Sequence, residues 1–153
     1  MMVEIAGQGT DDAVSLGNVS RRTQISRRYL DQLALALRRA DLLRGVSGRG
    51  GGYQLTRPAG EIELGEIVEA AIGPINIVDC VLHPDSCLKA DVCECRWVYA
   101  LINKRIGEVL GGISLLDLVD QSALKNICQE LQAEGHGCPT PYLQDAGLQR
   151  ECE

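Results

Sequence analysis

The chain has 153 residues, 45% hydrophobic and 24% charged, which is enough to bury a core and too apolar for a chain disordered throughout. No apolar run approaches the ~18 residues of a spanning helix, and no basic segment leads into an apolar stretch and a small-residue cleavage site. A transmembrane or secreted protein is therefore not indicated, and the expected compartment is the cytoplasm. With no Phe, one Trp and four Tyr, the core must be built from Leu, Ile, Val and Ala, which favours helices over a β-sandwich.

The formal net charge of −6 alone speaks against a nucleic-acid partner, but it is unevenly spread. Residues 1–60 carry nine Arg against five acids, whereas residues 61–153 carry six Lys or Arg against sixteen acids. A basic segment on an acidic chain is the footprint of a phosphate-binding surface; the plainer reading is a solvated Arg-rich helix face. All of these cations are Arg, whose fork matches phosphate and the guanine edge, which tilts the balance toward nucleic acid.

In chain order, Met1 to Ala6 is a short apolar piece ending at Gly7, followed by a polar loop to Ala13. Ser15 can cap a helix to about Thr23, and Ser26 a second from Arg27 to about Ala40. The gap between them is so short that they must meet at a sharp angle. On the second helix Leu30, Leu33, Ala34 and Leu37 form one stripe, with Arg27, Arg28, Asp31 and Gln32 mostly on the other side, as in a helix-turn-helix. Two short β-like runs, Leu42 to Val46 and Tyr53 to Thr56, flank the turn Gly48-Arg49-Gly50-Gly51-Gly52 and predict a hairpin wing rather than a linker. Consecutive glycines there let the backbone lie close to another surface.

Pro58-Ala59-Gly60 ends this unit. Leu64 to Ile72 reads as an amphipathic helix broken by Gly73-Pro74. A loop from Cys80 to Cys95 follows, then a helix from Trp97 to Leu110 with Leu101, Ile102, Ile106 and Val109 on one face. Ser114 restarts a short helix, Leu115 to Val119; helix-capable sequence continues to Glu134, and the last ~20 residues read as a poorly ordered tail. The expected segments are 1–60, 61–120 and 121–153.

Four of the seven cysteines, Cys80, Cys87, Cys93 and Cys95, fall within sixteen positions as C-x6-C-x5-C-x-C. In a reducing compartment such a cluster suggests metal or redox chemistry more than disulfides. The C-x2-C knuckles of structural zinc are missing, and wide spacing suits a larger iron–sulfur unit; zinc, a thiol switch and unligated cysteines stay open. Cys128, Cys138 and Cys152 have no regular spacing and no assigned role. His83 and His136 stand alone, and no His or carboxylate constellation supports a metal–thiolate enzyme.

Taken together, several segments resemble the iron–sulfur cluster regulators, winged-helix bacterial transcription factors that include IscR-like and NsrR-like proteins. The matching pieces are Ile25-Ser26-Arg27-Arg28-Tyr29-Leu30-Asp31-Gln32-Leu33, Leu37-Arg38-Arg39-Ala40-Asp41-Leu42-Leu43, Gly50-Gly51-Gly52-Tyr53, Ile67-Val68-Glu69-Ala70, Gly73-Pro74-Ile75 and the cysteines Cys80, Cys87 and Cys93, across roughly residues 1–120. The resemblance implies a mainly helical fold with a small β-wing: a winged helix-turn-helix DNA-binding unit, then a cysteine loop and a long dimerisation helix. It implies a homodimer on a pseudo-palindromic duplex operator, no membrane partner and no enzymatic activity. It also implies a 2Fe–2S or 4Fe–4S cluster held by Cys80, Cys87 and Cys93, 2Fe–2S ahead, in a regulator, in most cases a repressor, of redox, nitric oxide or iron status.

Three departures stand out. The family's first helix begins about a dozen residues upstream of the point matching Met1. The fourth ligand is, in some members, a carboxylate from that part of the partner subunit, and in others a His three positions after the third Cys, where this chain has Arg96. Cys95 is a possible extra ligand, although its one-residue gap from Cys93 makes joint ligation sterically awkward. Many wings carry Arg just before the first Gly of the turn; here that position is Ser47 and Arg49 lies inside the turn. Within this frame Arg21, Arg22, Arg27, Arg28 and Arg49 are expected to neutralise phosphates, and Arg28, Tyr29, Asp31 and Gln32 to meet base edges. The main rival is a cluster-free regulator of the same fold that responds to thiol oxidation or a small ligand.

Overall fold

In the computed structural model, which describes residues 1–9 and 12–133, both serine caps form as the sequence predicts. Ser15 accepts the Asn18 N–H and starts α2 (Leu16–Thr23), after a five-residue helix, α1 (Met2–Ala6). Ser26 accepts the Tyr29 N–H and starts α3 (Arg27–Arg39). The sharp corner between α2 and α3 is made at Gln24, whose φ of 58° is left-handed. The Gln24 amide donates to the Arg21 carbonyl and the Ser20 hydroxyl to the Ile25 carbonyl, so the turn's polar groups are satisfied locally.

Leu30, Ala34 and Leu37 of α3 are buried among Ile5 of α1, Leu16 and Val19 of α2, and Leu42, Leu43 and Leu55 of the wing. Each such leucine contributes about 1.5–3 kcal/mol on leaving water. The wing pairs β1 (Leu43–Val46) with β2 (Gly52–Leu55), antiparallel, with Leu43 opposite Leu55 and Arg44 opposite Gln54. Alternation sends Leu43 and Leu55 into the core and leaves Arg44 exposed.

The surface that the glycine run lies against is the protein's own. Val14 bridges to Tyr53, each N–H donating to the other's carbonyl at 2.9 Å, which adds a third strand-like piece to the wing. A Cβ on Gly52 would sit 2.3 Å from the Val14 oxygen, and one on Gly51 2.3 Å from the Val46 oxygen.

Beyond the wing, a one-turn 3-10 helix (Ala59–Glu61) leads to α4 (Leu64–Ile72). Short turns and α5 (Asp79–Leu82) precede the long α6 (Glu94–Gly111), followed by α7 (Leu115–Val119). A second bridge joins Glu63 to Ser114: the Leu64 N–H reaches the Ile113 carbonyl and the Leu115 N–H the Ile62 carbonyl, both at 2.8 Å. Ile62 and Leu115 are fully buried in the same core as α3, so Met1–Val119 forms one compact unit. α8 (Gln121–Ala133) belongs to a second unit that starts at Asp120. The tail expected over the last ~20 residues, with Cys138, Cys152 and His136, lies outside the described residues. Among those described, no helix is long and apolar enough to cross a membrane.

α6 begins at Glu94, three residues before the expected start; Cys93 holds the N-cap position without a side-chain cap bond, and the acidic Glu94 suits the first turn. Cys95 therefore lies on the helix rather than in the loop.

Two predictions follow from these contacts. Gly52→Ala forces Val14 off its bridge, and thermal melting should show a loss of at least the ~1 kcal/mol of a typical hydrogen bond, with Val14 and Tyr53 amides losing protection from hydrogen exchange. The second concerns Glu66, held below the ordinary glutamate range first by the Arg57 guanidinium at 2.7 Å and then by the Glu63 N–H. A depressed folded-state pKa contributes stability above the unfolded value that is lost as pH falls through the folded one. Melting temperature should therefore drop more steeply below about pH 4.5 in the wild type than in Glu66→Gln, measured as the difference between the two acid titrations.

Candidate nucleic-acid interface and cysteine loop

The stripe that buries Leu30, Ala34 and Leu37 turns the opposite side of α3 to water. Arg27, Arg28, Tyr29, Asp31 and Gln32 are all exposed there, as expected, in the first turns after the Ser26 cap. The N-terminal end of a helix directs free N–H groups outward and carries positive potential, which suits phosphate. Arg27 is not free-standing: its Nε lies 3.0 Å from Asp31 Oδ1, one turn on. Asp31 thus orients Arg27 as well as facing solvent. Tyr29, about half exposed, is a surface residue and not part of the core.

On α2, Arg21 donates to the Asn18 side chain and Arg22 is ion-paired to Glu4 of α1 at 2.8 Å. Both arginines are exposed, and surface pairs of this kind are worth about 0.2–1 kcal/mol, so a phosphate can compete for either. Arg49 is exposed at the wing tip between Gly48 and Gly50, both at positive φ. Arg44 was not singled out from the sequence, yet it stands exposed on β1 with its Nε 3.2 Å from Gln54 Oε1. The alternation Leu43-Arg44 opposite Gln54-Leu55 was the signal that could have identified it. Leu35, one turn beyond Gln32, is also exposed, adding an apolar group to the same face.

The cysteines lie along a chain of short turns. Cys80 sits on α5, which packs against α6, and is half-buried. Cys87 follows the Pro84–Ser86 turn and is exposed; its N–H donates to the Pro84 carbonyl. Cys93, half-buried, caps α6, and Cys95 is exposed on that helix. Ala90, in the turn Ala90–Val92, is the buried residue that anchors this stretch, while Leu88 and Val92 are exposed.

None of these four thiols is in a disulfide. Three thiols on one loop, with no carboxylate or imidazole displacing them, are in kind the donor set of an iron–sulfur cluster, and all three are reachable from solvent. Their placement is less advanced than their chemistry: among the described residues no three Cys, His, Asp or Glu side chains are gathered as a metal site. Closing Cys80, Cys87 and Cys93 on a common centre would require this loop to move.

α6 presents Trp97, Val98, Leu101 and Val109 to solvent, each more than half exposed, with Ile102 also exposed and Ile106 half-buried. Among the described residues of the first unit, nothing covers these apolar side chains of the 18-residue helix.

Comparisons with known proteins agree with this arrangement. An HTH-type transcriptional regulator, ORF2, of Azotobacter vinelandii is 35% identical over 142 residues, covering 92% of this chain and 86% of that one. The HTH-type transcriptional regulator IscR of Xenorhabdus nematophila is 30% identical, covering 94% and 87%. Among solved structures, CymR, the global cysteine regulator of B. subtilis, superposes with a TM-score of 0.63 at 29% identity, covering 79% of this chain and 88% of that one. IscR of T. potens gives 0.61 at 30% identity, covering 79% of each. These matches are to transcriptional regulators, not enzymes, and their winged-helix fold is the one described above. With residues 1–121 matching the family described as Rrf2, iron-dependent transcriptional regulator, the chain belongs to the Rrf2 family of transcriptional regulators.

Proposed function

We propose that this chain represses transcription as a homodimer on a pseudo-palindromic duplex operator, with affinity set by an iron–sulfur cluster held by Cys80, Cys87 and Cys93, 2Fe–2S ahead of 4Fe–4S. The observation that carries the reading is the placement of three unpaired thiols on the loop that leads directly into α6, within the same compact unit as the arginine-bearing α3. The IscR names among relatives support the cluster, and the apolar face of α6 supports the dimer.

On DNA, α3 enters the major groove and the wing approaches the minor groove. Arg21, Arg22, Arg27, Arg28 and Arg49 supply phosphate contacts, the salt-dependent part of affinity. Gln32 reads adenine, Arg28 guanine, and Asp31 a cytosine amino group or, through its pair with Arg27, the orientation of that guanidinium. The second subunit doubles these contacts one helical turn away. When bound, a cluster supplies a crosslink among three thiolates that oxidants and nitric oxide can attack. The loop's own part is mechanical: it lies between α4 and α6, so a change in its shape bears on both helices, and α4 packs on α3.

A second reading rests on the thiols not being gathered: a cluster-free regulator in which oxidation of Cys80 or Cys93 changes operator binding. The similarity to CymR, named a cysteine regulator, supports it.

Two experiments decide. Anaerobic reconstitution with iron and sulfide should give brown protein with visible absorbance that Cys80→Ser, Cys87→Ser and Cys93→Ser each abolish, with a change in operator affinity in a gel-shift assay. Iron-free, colourless protein whose DNA binding responds to oxidant and recovers with reductant selects the thiol reading. For the interface, Gln32→Ala should cost about 1–3 kcal/mol of operator binding with nonspecific affinity unchanged. Arg49→Ala should reduce the slope of log K against log salt by about 1 per lost contact. Equal loss on operator and random DNA for Gln32→Ala removes it from the base-reading set.

A further inference from the structure

The segment Pro74–Val78 carries the chain from α4 to Cys80 and has no helix or strand of its own. The Val78 carbonyl accepts the Val81 N–H of α5 at 3.2 Å, and among the described residues the hydrogen bonds that fasten the segment to α6 both come from one side chain, Asn103 in the middle of that helix. The Asn103 Oδ1 accepts the Ile77 N–H at 3.2 Å, and its Nδ2 donates to Asn76 Oδ1 at 2.8 Å. Asn103 and Asn76 are both half-buried. The other end of the loop is fixed covalently, since Cys93 caps the same helix. The stretch from Ile77 to Cys93 is thus a loop closed on α6 at both ends, once by the chain and once by Asn103.

This closure sits three residues before Cys80. α5, which carries the half-buried Cys80, also packs on α6, so this helix and the segment before it are held against the same partner. Cys87, further along and exposed, gains no cover from it. Among the described residues, the side-chain hydrogen bonds of Asn103 are these two, and it is not one of the thiols. An amide is well suited to the task, with an acceptor for the backbone and a donor for a second side chain at once.

We propose that Asn103 is a positioning residue that latches the start of the cysteine loop to α6 and thereby sets the reactivity of Cys80 relative to Cys87. The inference rests on reading this loop as the sensing element, but it applies equally to cluster assembly and thiol oxidation, since both begin with access to Cys80.

The test is site-resolved alkylation of the full chain by N-ethylmaleimide, reduced and iron-free, followed by mass spectrometry of each cysteine. Asn103→Leu removes both hydrogen bonds at similar size, and Cys80 should react at least about threefold to tenfold faster, the population change expected for losing even one of them, with Cys87 and the melting temperature nearly unchanged. Asn103→Asp should stay within about twofold of wild type, because its carboxylate accepts the Ile77 N–H and a rotated Asn76 amide. Asn76→Ala, which loses only the side-chain bond, should give a smaller acceleration and serves if Asn103→Leu does not fold. Unchanged Cys80 kinetics, or equal acceleration of Cys80 and Cys87, overturns the latch. Failure of reconstitution in the wild type rejects the cluster and leaves this pattern standing, so the two outcomes are separable.

Discussion

Burial of one stripe of α3 governs the rest of the structure. Once Leu30, Ala34 and Leu37 are committed to the core, the helix cannot rotate about its axis without exposing them. That constraint decides which side chains face water, and they are Arg27, Arg28, Asp31 and Gln32. The wing shares the same core through Leu43 and Leu55, so Arg49 is carried at a fixed remove from α3 instead of on a loose linker. Interface specificity thus originates in apolar packing; the polar residues inherit their positions from it.

The second constraint is the way the chain returns after the wing. The bridge between Glu63 and Ser114 brings the C-terminal end of α6 back to the start of α4, with Ile62 and Leu115 buried beside it. α4 packs on α3 at one side and α6 at the other. α4 therefore joins α6 to α3 by a short packed path. The cysteine loop runs between α4 and α6, and Asn103 of α6 holds its first residues by two hydrogen bonds. The exposed apolar face of α6 gives that helix a second side on which a partner can act.

Packing is unevenly distributed along the chain. The interior of the winged unit is apolar, and among the described residues no polar side-chain atom is buried without a partner. The loop from α5 to α6 contributes one buried residue, Ala90, and otherwise short turns held by single backbone hydrogen bonds. Low packing density is what allows a segment to change shape at small cost, so the thiols are where movement is cheapest.

Local sequence sufficed for the elements whose cause is local. Ser15 and Ser26 cap the helices they precede, the spacing of Leu30, Ala34 and Leu37 sets one face, and alternation around the glycine turn builds the wing. Each depends on residues within a few positions, where side-chain chemistry and backbone geometry leave few alternatives. The glycine run was legible as a close approach, but its counterpart, Val14, was not, because that contact joins residues 38 positions apart. The same holds for Glu4 with Arg22, for Asn103 with Asn76 and Ile77, and for the state of the cysteines, whose spacing permits a cluster while the folded loop leaves the sulfurs apart. Such contacts are decided by how the elements pack, which is a competition among all buried surfaces together and has no signature in any single window of the chain.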